Sequence, residues 1–273
     1  MTRVSFLIST RGRNPRHLFD LLQDLENQSY SDVEVVVVLQ PLNQSARQAV
    51  EEIVSVIKAV PVNLVVSDTI GLSKSRNIAL SQAVGDILLL CDDDCRYPSD
   101  AAANIAEAMA TYPDWDVIGF QMAETNSGKL HKRYPLHPQR HNLRSLMHIN
   151  SVEITLRKHA VWKVKLFDER IGLGTPYMTG EENVMLVDLF RKGFKVGYFP
   201  RVVVFHPMES SGLGDCDLDQ LVFSKGVVFR RMFGVLGVVP ALIFFVRRLF
   251  PGKTLRLRLR QIRQLRQGLL EEL

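Results

Sequence analysis

The first hundred residues alternate short apolar runs with stretches of helical periodicity, and this alternation restricts the fold more than any other feature of the sequence. The apolar runs predict strands at Val4–Ile8, Val33–Leu39, Val62–Val66 and Asp86–Cys91. Amphipathic stretches of about a dozen residues separate them and predict helices. Buried strands that alternate with helices are typical of βαβ units, in which helices cover both faces of a parallel sheet. The sequence therefore predicts an α/β domain that binds a ligand at the carboxyl ends of its strands.

The middle of the chain continues this pattern less regularly. Further strands are predicted at Val117–Gln121, Ser151–Leu156 and Lys195–Phe205, and a helix at Glu181–Lys192. A polar stretch rich in His, Arg and Pro, Glu124–Asn142, has the composition of a mobile surface loop. We expect the α/β domain to extend over residues 1–219.

The last 54 residues form a second region, 220–273, with eleven Lys and Arg against two acids, so they carry more than the whole net charge of +5. Here the apolar run Met232–Val246 precedes a basic amphipathic pattern at Leu255–Leu270. A helix of this run is roughly 22 Å long, shorter than a hydrocarbon core of about 30 Å, and Pro240 weakens it further. We expect residues 230–270 to lie on an anionic membrane surface instead of spanning it. The alternative is that the run packs on the first domain and the basic helix binds a partner.

Cysteine content and the N-terminus indicate the compartment. Three unevenly spaced cysteines do not make a disulfide framework, so a reducing environment is expected. The strand at Val4–Ile8 begins without a basic region or a cleavage site before it, so no secretory signal is visible. We expect a cytoplasmic protein, peripheral on the inner face of the cell membrane.

The acidic triplet Asp92-Asp93-Asp94 directly follows the apolar run Leu88–Cys91. Adjacent carboxylates repel one another unless a cation lies among them. Oxygen ligands of this kind suit Mg²⁺ or Mn²⁺, which usually bridge protein carboxylates to substrate phosphates. The alternative is an acidic turn that caps the next helix.

Three other segments carry candidate functional groups. The segment Gly71–Asn77 combines a glycine turn, serines and cations at the start of a helix, which suits an anionic ligand or an ordinary helix cap. Glu181 and Glu182 begin another helix, where they either take up a proton or complement the helix dipole. His206 ends the strand Lys195–Phe205 and is either a metal ligand or structural.

The order of these segments resembles the family 2 glycosyltransferases of GT-A fold over roughly residues 3–210. The segments that carry the resemblance are Ser9-Thr10, Gly71–Asn77, Asp92-Asp93-Asp94, Phe167-Asp168-Glu169, Gly180–Asn183, Phe199-Pro200 and His206-Pro207. The resemblance implies a Rossmann-like nucleotide-binding sheet merged with a smaller acceptor-binding part, followed here by the helical basic tail.

The resemblance also implies roles for individual residues. Ser9, Thr10 and Arg11 would border the nucleotide, together with Arg76, Asn77, Asp92 and Asp93. Asp94 would hold Mn²⁺ or Mg²⁺, with Asp92 and His206 as further candidate ligands. Gln40 follows the second strand where many relatives have an acid, and its amide suits a nucleobase whose identity stays open, with uridine as the default.

The last acid of the family's Gly-Glu-Asp motif is the catalytic base, and it maps onto Glu182, with Glu181 as the alternative. The expected reaction is a single inverting displacement that moves a sugar from a nucleoside diphosphate to a saccharide or lipid-linked acceptor. We expect a bacterial polysaccharide or glycolipid pathway and no nucleic-acid partner. Two other functions remain open at this point, namely a sugar nucleotidyltransferase and a basic-tailed nucleic-acid-binding protein.

Overall fold

The structure is a computed structural model that describes residues 2–162, 166–208, 218–246 and 255–271. The chain forms two compact units, both of them discontinuous in sequence. The first comprises Met1–Ile70, Lys74–Leu166 and Leu189–Glu209, and the second comprises Gly71–Ser73, Phe167–Asp188 and Ser210–Leu273. The division of function between residues 1–219 and 220–273 stays a prediction.

The first unit contains a mixed sheet of eight strands in the order β3-β2-β1-β4-β7-β5-β8-β6. The strands are β1 (Val4–Thr10), β2 (Val33–Leu39), β3 (Val62–Val66), β4 (Ile87–Asp92), β5 (Val117–Glu124), β6 (Gln139–Arg140), β7 (Ile154–Arg157) and β8 (Val196–His206). The first four strands are parallel, as their buried apolar runs predict. Strand β7 runs antiparallel between β4 and β5, which makes the sheet mixed.

Among the described residues, six α-helices belong wholly or mainly to this unit. They are α1 (Pro15–Glu26), α2 (Gln44–Val56), α3 (Leu72–Gln82), α4 (Ala101–Thr111), α5 (Leu143–Leu146) and α6 (Lys158–Trp162). Helix α1 buries Leu18, Leu21, Leu22 and Leu25, which share one face because they are spaced at three and four residues. Asn43 caps the start of α2, because its side chain accepts a 2.8 Å hydrogen bond from the amide of Ala46.

The chain reverses direction across the sheet at β1. From β1 it passes to β2 and β3 on one side, and α3 then returns it to β4 on the other side. Crevices at the carboxyl ends of strands beside such a reversal are the usual ligand sites of open α/β sheets. The carboxyl ends of β1 and β4 meet here, with Ser9 opposite Asp92.

Two predictions for the middle of the chain need correction. The predicted strand Ser151–Leu156 begins as a 3-10 turn at Ser151–Glu153, because Asn150 and Glu153 form a capping box there. The polar stretch expected to be a loop instead contains β6, and Leu130 forms a β-bridge with Ala123.

In its described residues, the second unit contains the α-helices α7 (Glu181–Arg191), α8 (Leu218–Phe233), α9 (Val238–Phe244) and α10 (Leu255–Leu270), although the last three residues of α7 belong to the first unit. Helices α8 and α10 cross at two glycines. A methyl group at Gly268 would lie 2.1 Å from the carbonyl oxygen of Phe223, and one at Gly226 would lie 2.4 Å from that of Leu265. Glycine is therefore required on both helices at this crossing.

The buried face of α10 only partly coincides with the apolar face that its leucines and isoleucine define in the sequence. Gln261, Leu265 and Gly268 are buried, whereas Leu259 and Ile262 are exposed. Glycine draws the two backbones together, so the close contact follows Gly268 and not the row of leucines.

The apolar run was expected to form a helix too short to cross a membrane, but it continues a longer helical run, Leu218–Phe244, which is long and apolar enough to do so by length and composition. A third of its most apolar part is buried (33 %). Core helices of soluble proteins pass the same test. In α9, Ala241 is buried, and the ring of Phe244 lies 6.0 Å from that of Phe229 on α8. The opposite face of this segment is apolar and exposed: Val235, Leu236, Val238, Val239, Leu242, Ile243 and Val246.

Candidate functional site

The acidic turn after β4 is tied to the end of β1. The Thr10 hydroxyl donates a 2.5 Å hydrogen bond to the Asp93 carboxylate, and the Gly12 amide donates to the Thr10 hydroxyl at 3.0 Å. Burial raises the pKa of Asp93 to about 6, with Asp94 and Asp92 adding to the rise and the Thr10 hydrogen bond opposing it. Two of the predicted nucleotide-binding residues, Thr10 and Asp93, are thus in direct contact.

Asp92 is paired with a buried arginine. The Arg76 guanidinium is 1 % exposed, and its Nη2 lies 3.0 Å from Asp92 Oδ1, while Asp92 itself is 33 % exposed. One residue earlier on α3, the Ser75 hydroxyl donates to the Ser9 hydroxyl at 2.9 Å. Helix α3 therefore supplies the positive charge that compensates the first acid of the triplet.

Asp94 lies beside His206, and both residues were candidate metal ligands. His206 Nε2 is 3.2 Å from Asp94 Oδ1, and ligand atoms of Asp94, Cys95 and His206 all lie within 4.8 Å of one another. His206 Nδ1 donates a 2.7 Å hydrogen bond to the Pro207 carbonyl. Because a carbonyl can only accept, this bond leaves the lone pair of the neutral ring on Nε2, the atom that faces Asp94.

The chemistry of this group fits a divalent cation held by oxygen and nitrogen. Burial lowers the pKa of His206, but the hydrogen bond and charge of Asp94, with the charge of Asp92, outweigh it, so that the pKa is raised. Burial also raises the pKa of the Cys95 thiol well above its usual value, which makes Cys95 a poor ligand. A carboxylate and an imidazole remain, and a nitrogen ligand suits Mn²⁺ better than Mg²⁺. Asp92 is engaged by Arg76, and its role as a ligand stays a prediction.

Backbone pairing far apart in sequence brings Asp94 and His206 together. Arg96 and Phe205 exchange two hydrogen bonds of 2.9 and 2.8 Å between their amides and carbonyls. His131 Nε2 donates to the His206 carbonyl at 2.8 Å. Sequence reasoning missed Arg96 and His131, because no local pattern indicates contacts between residues 109 and 75 positions apart.

The other predicted nucleotide-binding residues surround the ends of β1 and β2. The Gln40 backbone amide donates to the Thr10 carbonyl at 2.9 Å, and the Gln40 side chain donates to the Thr69 carbonyl. Arg11 Nε is buried and has no hydrogen-bond partner among the described residues. Asn77 lies half-buried on α3.

In the second unit, the two candidate bases differ in exposure. Glu181 is 6 % exposed, whereas Glu182 is only partly buried. A methyl group at Gly172 would lie 3.5 Å from the Glu181 carboxyl carbon and 2.8 Å from the Ser73 hydroxyl, which itself bonds the Ile171 carbonyl. Glu181 is thus packed against the turn at Gly172, and Glu182 is the more accessible carboxylate.

A surface cavity of about 360 Å³ lies elsewhere, beside Asp116, His159 and Lys192. Asp116 directly precedes β5 and Lys195 directly precedes β8, so the cavity is at the amino ends of these strands. It includes none of the predicted site residues.

The profile of the family described as Glycosyl transferase family 2 matches residues 5–170. The match includes Ser9, Thr10, Arg76 and the acidic triplet, and it ends before Glu181, Glu182 and His206. A comparison with curated proteins found no match.

Solved structures share the fold. Residues 1–349 of S. aureus TarS align with a TM-score of 0.70 and 15 % identity, over 97 % of this chain and 80 % of that one. TarS in complex with UDP-GlcNAc aligns at 0.71 and 16 % identity, over 96 % and 79 %. The mannosyltransferase PcManGT from Pyrobaculum calidifontis, in complex with GDP-Man and Mn²⁺, aligns at 0.60 and 14 % identity, over 98 % and 73 %. At such identities the likeness shows the fold alone.

Proposed function

The chain belongs to glycosyl transferase family 2, and from that premise we propose that it transfers a sugar from a nucleoside diphosphate to an acceptor hydroxyl with the help of a divalent cation. The observation that carries this proposal is the pairing of Asp94 with His206 beside the Asp93–Thr10 hydrogen bond, at the carboxyl ends of the central strands. Open α/β sheets bind their ligands at such an edge.

We propose that the donor diphosphate lies at the acidic turn, with Ser9, Thr10 and Arg11 beside the nucleotide. The position of Arg11 supports this, because it directly follows β1 and is only partly buried, so it places a positive charge at the carboxyl end of this strand. TarS has been solved with UDP-GlcNAc and PcManGT with GDP-Man, so relatives in fold differ in their base. UDP is our first choice of nucleotide for this chain.

Asp94 and His206 would hold the cation, with Mn²⁺ preferred, and its chemistry is to neutralise charge on the departing diphosphate. Arg76 is buried against Asp92. We infer that it keeps this carboxylate ionised and oriented toward the donor. The Thr10–Asp93 hydrogen bond holds the middle of the turn in place, so the protein presents its ligands without rearrangement.

We propose Glu182 as the general base. Its carboxylate accepts the proton of the acceptor hydroxyl as that oxygen attacks the anomeric carbon, and the bond to the diphosphate breaks on the opposite face. One displacement of this kind inverts the anomeric configuration. The burial of Glu181 against Gly172 supports this choice, since a base must reach its substrate.

We further propose that residues 1–219 carry the transfer chemistry and that residues 220–273 attach the enzyme to the cytoplasmic face of a bacterial membrane. The exposed apolar face of Gly234–Val246 supports shallow insertion, and the exposed Arg263 and Arg266 of α10 suit anionic lipid. Arg247 and Arg248, which directly follow the apolar run in the sequence, lie outside the described residues. A lipid-linked acceptor in polysaccharide or glycolipid synthesis is consistent with this location.

The donor site is tested by thermal unfolding and calorimetry with UDP or GDP, each with and without Mn²⁺. A nucleotide at 100 times its Kd adds about 2.7 kcal/mol to the free energy of unfolding, which raises the Tm by about 5–10 °C. We expect this Mn²⁺-dependent shift for the wild type and for Asp100→Asn, an exposed acid near the turn, and its loss in Asp94→Asn. Equal shifts in both variants, or no shift with either nucleotide, would contradict the proposal.

A further inference from the structure

The candidate base Glu182 begins α7, and the loop before it and α7 itself form several contacts with the C-terminal helices of the same unit. Gln220 Nε2 on α8 donates to the Pro176 carbonyl at 2.6 Å, and the Met178 amide donates to the Ser224 hydroxyl at 3.3 Å. These contacts lie one helical turn apart on α8, so this helix follows the loop toward the start of α7.

The contact continues at the residue directly before the two glutamates. Gly180 has a φ of +88°, and a methyl group there would lie 2.9 Å from Val228 Cγ1 on α8. Both the backbone angle and the lack of space require glycine. The peptide from which Glu181 and Glu182 continue is therefore pressed directly against α8.

Arg231 on α8 pairs with two acids, Asp168 before the loop and Asp188 on α7, one on each side of the candidate base. Its guanidinium lies 3.2 and 2.7 Å from the two carboxylate oxygens of Asp188 on α7, and 3.4 Å from Asp168. Arg231 is 29 % exposed, so these charges are partly removed from water. A bidentate guanidinium–carboxylate pair sets direction as well as distance, and it restricts rotation of α7 about its axis.

The loop also contacts Glu271, the residue directly after α10. The Tyr177 hydroxyl donates to Glu271 at 2.9 Å, and the Tyr177 ring lies 6.1 Å from Phe223 of α8. The glycine crossing at Gly226 and Gly268 holds the two helices together beneath these contacts. The loop before α7 is thus held by a helix pair and not by its own short-range bonds alone.

We propose that α8 and α10 position Glu182 for proton abstraction, and that Arg231 is the main positioning residue. This inference rests on the proposed role of Glu182. A base that is misplaced by about 1 Å loses on the order of 100-fold in rate, whereas donor binding does not depend on it. The C-terminal region therefore contributes to turnover in addition to its proposed contact with a membrane.

The test uses the full chain with Mn²⁺ and measures release of the nucleoside diphosphate from UDP-GlcNAc and, in parallel, from GDP-mannose, with water as acceptor. Arg231→Gln should lower kcat at least tenfold and leave the KM for the donor within about twofold. Arg231→Lys should recover part of the loss. Arg230→Gln is the matched control, because Arg230 neighbours Arg231 on α8 and forms no ion pair within the ranges that the structure describes.

A double-mutant cycle with Glu182→Gln separates positioning from general stability. If Arg231 acts through the base, Arg231→Gln has little further effect once Glu182 is replaced. Equal losses in both backgrounds, or an unchanged kcat in a folded Arg231→Gln protein, would overturn the inference while the proposed function stands. Wild-type turnover by Glu182→Gln would overturn the proposed base together with the inference.

If Arg231→Gln does not fold, the kinetics of Ser224→Ala test the positioning role of α8 instead. This variant removes only the hydroxyl that accepts the hydrogen bond of the Met178 amide. A lower kcat at an unchanged KM supports positioning. Unchanged kinetics in this variant refute it.

Discussion

The crossing of α8 and α10 allows a stability prediction to be worked from distances. In Gly268→Ala, the new methyl group would lie 2.1 Å from the Phe223 carbonyl oxygen, 1.3 Å short of the ordinary contact distance of 3.4 Å. It would also lie 2.9 Å from the Val227 amide nitrogen. Both neighbours are backbone atoms, so no side chain can rotate away and the helices must separate.

The expected loss follows from two opposing effects. Overpacking of this kind costs about 1–3 kcal/mol. Alanine is a better helix former than glycine by about 1 kcal/mol, which offsets part of the cost. Because the contact of 2.1 Å is with a backbone atom, the cost should lie in the upper part of this range, so we expect Gly268→Ala to lower the free energy of unfolding by about 1–2 kcal/mol, and the Tm by about 2–8 °C.

Thermal and urea unfolding of the full chain measure this loss. Gln267→Ala is the control, because Gln267 is exposed on the same helix and should not lose stability. The double variant Gly226→Ala/Gly268→Ala should lose less than the two single losses together, since one separation of the helices relieves both contacts. A Gly268→Ala protein as stable as the wild type would refute the close crossing.

Two further predictions concern pH and membranes. Burial, with a smaller effect from Lys132, lowers the pKa of His141 to about 4, so the folded protein resists a proton that the unfolded chain accepts near pH 6.5. The free energy of unfolding should therefore fall as the pH drops from about 6.5 toward 4, by about 2 kcal/mol at pH 4.5. The variant His141→Phe should show a much weaker dependence of this free energy on pH. If the curves of unfolding free energy against pH are parallel for the wild type and the variant, the prediction is wrong. In flotation with phosphatidylglycerol vesicles, the wild type should float, and serine at both Leu236 and Leu242, which are 68 % and 62 % exposed, should reduce the bound fraction. Leu136→Ser serves as the exposed control in the first unit, and wild-type protein that stays in the soluble fraction would refute the membrane proposal.

The parallel half of the sheet could be predicted because its determinants are local. Strands β1 to β4 consist mainly of apolar residues, and Asp92 follows such a run directly, so sequence order alone indicated acids at a carboxyl edge. The pairing of Asp94 with His206 was expected from the family resemblance, but its cause was not. It depends on the Arg96–Phe205 bridge, which joins residues 109 positions apart in the sequence.

The tail shows why periodicity alone was insufficient. The leucine pattern of α10 predicted an apolar face that lies on a membrane surface, and Leu259 and Ile262 of that face are exposed. The full burial of Gln261 was not predicted. Helical periodicity identifies the face of a helix with the most apolar residues. It does not show that another face, which carries Gly268, can approach a neighbouring helix more closely. The Arg231–Asp188 pair was missed for a related reason, since surface and buried arginines look alike in a sequence.

The contact between Gly180 and Val228 bears on how such a chain can diverge or be recombined. A different C-terminal region grafted after residue 219 would have to present a side chain of similar size opposite Gly180, and a guanidinium opposite Asp188. Among relatives that keep this helix, position 180 should therefore stay glycine and position 228 should keep a side chain no larger than valine, although the two positions lie 48 residues apart and on either side of the expected domain boundary. A tail that looks exchangeable in the sequence is thus inherited together with the loop it supports.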